Sequence, residues 1–135
     1  MVNNCLLKTV RFVDTKQWNV KHFFATSIIS RYPTESIGKH TVHITEKTKL
    51  FNEPEKEHKI LGISNEKGMF DAYVELGKNI NQAYIYVENG CLAYNPYRIN
   101  VGSIGLKTDL QKNEYISPAY VVFKCKDTLL PEFLY

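Results

Sequence analysis

The chain has 135 residues, of which 44% are hydrophobic and 23% charged, and its formal net charge is +3. A chain of this size makes one domain and hides roughly two thirds of its unfolded surface, enough for a self-sufficient core. No stretch approaches the ~18 apolar residues of a membrane span, and the opening MVNNCLLKTVRF lacks the apolar run of a secretory leader. These features predict a cytoplasmic protein with no membrane association, and the mild positive charge permits a nucleic-acid partner without demanding one.

In chain order, residues 6–13 (LLKTVRFV) read as a short strand. Asp14 or Thr15 is then placed to cap a helix from Lys16 to Ser30, with Trp18, Phe23, Phe24, Ile28 and Ile29 as its apolar positions. Tyr32-Pro33 ends it, because a residue before proline avoids the α region. HTVHITEKTKLF (His40–Phe51) is rich in β-branched residues and reads as a strand running into a loop; Asn52–Lys59 is charged and reads as solvated loop. KILGIS (Lys59–Ser64) reads as a buried strand, Asn65–Gly68 as a turn, and MFDAYVEL (Met69–Leu76) as the partner strand. Further strands are predicted at Gln82–Val87, Cys91–Tyr94, Ile99–Leu106 and Ala119–Cys125, with turns at Glu88–Gly90 and Ser117-Pro118. DTLLPEFLY (Asp127–Tyr135) has Asp127 or Thr128 placed to open a helix, with Phe133 in its packing. The fold class is therefore α+β: a strand-rich single globular domain over 1–135, with an N-terminal helix and the start of a C-terminal one.

Chemistry is hard to find. Cys5, Cys91 and Cys125 form no Cys-x-x-Cys pair, which argues against zinc and fits reduced thiols. His40 and His43 would point to opposite faces of a strand, and no third ligand stands near them. Gly102-Ser103-Ile104-Gly105 lacks the Gly-Lys-Ser/Thr of a phosphate loop. No catalytic residue, metal or cofactor is assigned.

YNPYRINVGSIGLK (Tyr94–Lys107) is the segment that asks for a function. Asn and Arg each make bidentate hydrogen bonds to base edges, Asn with adenine and Arg with guanine. A structural reading stands beside this one. Asn95-Pro96 forms a turn, Asn100 satisfies backbone groups, and the two glycines let one strand bend over another.

With ISPAYVVFKCKDTLLPEFLY (Ile116–Tyr135), RYPTESIGK (Arg31–Lys39) and HKILGISNEKGMF (His58–Phe70), that segment closely resembles the target recognition domain of type I restriction-modification specificity (S) subunits. The likeness covers about residues 17 to 135. It implies sequence-specific recognition of one half of a bipartite site in double-stranded DNA. It also implies partners: a methyltransferase (M) subunit that modifies adenine at N6, and a restriction (R) subunit. The S subunit itself does no chemistry. The chain departs from the family in carrying one recognition domain, and it stops where the first spacer helix would begin. It is then a fragment, or half of a specificity subunit that forms a homodimer. Alternatives are the recognition module of a fused restriction-methylation enzyme, and a protein-interaction fragment that competes for methyltransferase subunits.

The DNA-binding candidates fall in two groups. Asn65, Glu66 and Lys67 lie on the turn before Gly68, as contacts or as an ordinary solvated turn. Tyr94, Asn95, Tyr97, Arg98 and Asn100 form the second group, with Ser103 added. Lys107, Lys112 and Lys78 are phosphate candidates.

Overall fold

In a computed structural model, residues 31–135 are described; the predicted strand at 6–13 and the helix at Lys16–Ser30 lie outside them. In chain order the strands are β1 (Thr41–Ile44), β2 (Glu57–Ser64), β3 (Gly68–Leu76), β4 (Ile85–Tyr86), β5 (Cys91–Tyr94), β6 (Ile104–Leu106), β7 (Tyr115–Ile116) and β8 (Val121–Cys125). They form two four-stranded sheets, ordered β1-β8-β5-β6 and β3-β2-β7-β4. The first is antiparallel throughout, whereas β7 lies parallel to β2 in the second.

The core follows from alternation along β2. Leu61 and Ile63 point to one face and join Met69, Ile85, Val87, Cys91, Ala93, Ile116 and Val122, which come from both sheets. Ile60 points to the other face, where Leu50, Ile80 and Tyr84 cover it. The strand is thus buried on both sides, which is why KILGIS carries almost no polar alternation. Burying each such aliphatic side chain contributes about 1.5–3 kcal/mol.

Two features tie the sheets together. At Gly105 the backbone of β6 lies on that of β3: a Cβ built there would meet the Met69 nitrogen at 2.4 Å. No residue with a side chain fits that crossing. The segment after β6 is then clasped to β3. The Asp71 carboxylate accepts the backbone N–H groups of Lys112 (3.0 Å) and Asn113 (2.9 Å). Asn113 is buried, and its amide donates to the carbonyls of Ile60 (2.7 Å) and Tyr73 (3.4 Å). These two carbonyls belong to the paired residues that adjoin the irregularity between Ile60 and Leu61, so the side chain braces the ladder where its register shifts.

Several predicted elements are corrected. Ile99–Leu106 is not one strand; Ile99–Val101 is a 3-10 turn and only Ile104–Leu106 pairs. Gln82–Val87 shortens to β4, with an isolated bridge from Tyr84 to Thr48. Strand β2 begins at Glu57, inside the stretch expected to be loop. Strand β7 was not predicted. The C-terminal helix is Pro131–Leu134, opened by proline at its first position and not by Asp127 or Thr128. Thr128 is instead hydrogen-bonded through its hydroxyl to the His40 ring, 2.8 Å away. Phe133 is exposed.

Gly105→Ala is expected to lower stability by about 1–3 kcal/mol, since the backbone of Met69 cannot yield as a side chain would. Gly38→Ala, whose new methyl would meet only the Ser36 hydroxyl at an ordinary 3.6 Å, should stay within about 0.5 kcal/mol. Urea denaturation of both variants checks this.

Candidate nucleic-acid interface

The loop joining β5 to β6 (95–103) builds its frame from its own backbone. The Asn95 N–H donates to the Ser103 carbonyl (3.0 Å) and closes the neck. The Arg98 N–H returns to the Asn95 carbonyl (3.0 Å), turning the chain around Pro96-Tyr97, while the Asn95 side-chain oxygen accepts the Tyr97 N–H (3.0 Å). This is the local Asx bond that makes asparagine a turn former. The 3-10 turn ends at Gly102, whose φ of +80° is left-handed.

With the backbone groups so occupied, Tyr97, Arg98 and Asn100 project outward, Tyr97 with 85% of its surface exposed. Arg98 forms no ion pair among the described residues. Tyr94 instead packs edge-on against Phe123, and Ser103 is buried. Tyr94, Asn95 and Ser103 are therefore parts of the frame, and Tyr97, Arg98 and Asn100 are what it presents.

The turn between β2 and β3 is the second exposed tip. Asn65, Glu66 and Lys67 are all exposed there. The Ser64 hydroxyl accepts the Lys67 N–H (3.1 Å) and holds the turn, and the Lys67 ammonium sits 5.7 Å from the centre of the Phe70 ring. The Tyr135 hydroxyl rests against Gly68.

The close approach of β6 to β3 brings these tips together. A Cβ built on Gly102 would lie 4.0 Å from that of Asn65. Ile63, Ser64, Asn65, Arg98, Val101 and Ser103 line a cleft of about 230 Å³ between them. Two larger clefts, of about 370 and 360 Å³, lie elsewhere. Glu46 and Glu88 line the first, and Glu88, Asp109 and Glu114 the second, alongside Lys107 and Lys112. Their carboxylates disfavour a phosphate-bearing ligand, so size alone does not choose the candidate interface. Val101 and Ile63 were not among the residues singled out from sequence; apolar residues inside an apparent strand give no signal of a cleft wall.

Lys107 is not brought to this place. It is buried, and its ammonium donates to the Val87 carbonyl at 2.7 Å. Burial pushes its pKa below the ordinary lysine value. Lys112 donates through its ammonium to the Asp109 carbonyl, and Lys78 lies 3.7 Å from the Glu55 carboxylate.

Burial pushes the thiols of Cys91 and Cys125 up, away from the reactive thiolate. Among the described residues no three His, Cys, Asp or Glu side chains gather closely enough to hold a metal ion. None of their helices is long and apolar enough to cross a membrane.

Two small sheets that bring a hairpin turn and a self-bonded loop to one cleft define a strand-rich two-sheet scaffold. No family model matches the chain, and no curated protein does. Solved structures do. The HsdS subunit from Thermoanaerobacter tengcongensis superposes with a TM-score of 0.60 at 16% identity, over 73% of this chain and 27% of that one. A chain from a structure on complex assembly and conformational transition of the type I R-M system gives 0.52 at 17% identity, over 70% of this chain and 27% of its own. The chain thus spans about a quarter of the length of the structures it matches. Its fold is similar to part of a type I specificity subunit, in agreement with the resemblance carried by the sequence motifs.

Lys107→Met is expected to lower stability by about 1–3 kcal/mol, because the buried Val87 carbonyl loses its ammonium donor. Tyr97→Ala, at a position 85% exposed, should change it by less than about 0.5 kcal/mol. Thermal and urea unfolding of the two variants distinguish a structural lysine from a presented tyrosine.

Proposed function

We propose that this chain carries a target recognition domain that reads one half of a bipartite site in double-stranded DNA. By this reading it directs the adenine-N6 methyltransferase and restriction subunits of a type I restriction-modification system, and it catalyses nothing itself. The observation that carries the reading is the meeting of Asn65 and Arg98 at one exposed cleft within a fold similar to HsdS. Both side chains belong to the types that discriminate bases in the major groove. A groove about 12 Å wide admits a two-stranded β-ribbon.

The remaining assignments follow from placement. Tyr97 and Asn100 flank Arg98 on the same loop and serve as further contacts. Lys67, on the exposed turn, grips a phosphate and sets register without reading sequence. Lys107 is left out of the contact set because its ammonium is committed to Val87. With a net charge of only +3, the isolated chain binds duplex weakly. Affinity in an assembled complex comes from linkage to a second recognition domain and to partner subunits, through effective concentration. Such a protein works in the cytoplasm, where its DNA is.

Selection from a randomised duplex pool by the purified chain at low salt should enrich a motif of about three to five base pairs. Lys67→Ala should weaken binding evenly across sequences and reduce the salt slope by about one. Retention of no duplex even at low salt would overturn the reading.

A further inference from the structure

The cleft between the two tips has a specific size and lining. At about 230 Å³ it falls below the ~300–1,000 Å³ of sites that enclose a whole small molecule. It suits a protruding edge of something larger. Its lining divides into two kinds. Ile63 and Val101 are apolar, and Val101 is 52% exposed at the surface. Asn65 and Arg98 carry amide and guanidinium groups at the exposed tips.

The separation of the tips is informative as well. A Cβ built on Gly102 would lie 4.0 Å from that of Asn65, and Asn65 and Arg98 line the same small cleft. A side chain at position 102 would enter this gap. The left-handed conformation at Gly102 brings the loop back to β6 with nothing projecting between the tips.

We propose that this cleft reads one dinucleotide step as a unit: Arg98 takes a guanine, and Asn65 takes the adenine of the neighbouring A·T pair, whose thymine methyl packs on Val101. This rests on the duplex-reading function proposed above and deepens it. The chemistry is matched group by group. A guanidinium fork fits guanine O6 and N7, a carboxamide fits adenine N6 and N7, and thymine's methyl is the apolar landmark of the major groove. The two residues lie on different hairpins, so each is an independent reader. Their joint position makes the bases they read adjacent.

The test is selection from a randomised duplex pool by the full chain and by Asn65→Ala, Arg98→Ala and Arg98→Lys, each checked for native circular dichroism. In the wild-type motif a guanine should stand next to an A·T pair. Asn65→Ala should relax the A·T position, and both Arg98 variants the guanine beside it, each with a loss of roughly 5- to 150-fold against the selected site. Replacing that thymine by deoxyuridine should cost the wild type about fourfold, the worth of one buried methyl, and cost Val101→Ala nothing further. A wild-type motif in which the variants relax separated positions, or none, overturns the inference and leaves DNA reading intact. Failure of the wild type to select any motif overturns both.

Discussion

The crossing of β6 over β3 at Gly105 is the constraint on which the rest depends. Sheets pack face to face about 10 Å apart when side chains fill the space between them. Here one point of contact lacks a side chain, and backbone meets backbone. That point fixes where the loop before β6 stands relative to the turn before β3. Asp71 and Asn113 hold the segment on the other side of the crossing, so β6 cannot swing away from β3 without breaking hydrogen bonds at a part-buried site. The juxtaposition of two distant loops is therefore a property of the scaffold and not of the loops themselves.

The loops solve a different problem. A surface segment that presents polar side chains must not leave its backbone groups competing for them. The 95–103 loop answers with a ladder of short-range bonds, from Asn95 to Ser103, from Arg98 back to Asn95, and from Tyr97 to the Asn95 side chain. Their ordering entropy is met locally. The presented side chains begin from a defined backbone, the condition for holding a contact to within a fraction of an ångström.

Much of the scaffold was legible in the sequence because its signals are local. The β2–β3 hairpin shows a continuous apolar run, a turn rich in Asn and Gly, and an alternating partner. The misreading of Ile99–Leu106 has a definite cause. Ile99 and Val101 stand two apart as in a strand, but both are substantially exposed, and the Asx bond and the left-handed Gly102 outweigh their β propensity. Strand β7 left no trace because its two residues pair with β2 and β4, both far away in sequence. The same holds for the candidate interface. Asn65 and Arg98 were each recognisable as residue types, and so was Lys107. Their meeting, and the burial of Lys107, depend on long-range packing that no short window of sequence contains.

The self-bonded loop also bears on how such a domain changes over generations. Its shape is written in main-chain bonds, one asparagine side chain and one glycine, whereas the side chains of Tyr97, Arg98 and Asn100 enter none of those bonds. Lettering and page are separate. Substitutions at those three positions lie outside the short list of mechanisms that unfold proteins. What the loop displays can therefore be rewritten at little cost to the fold that displays it.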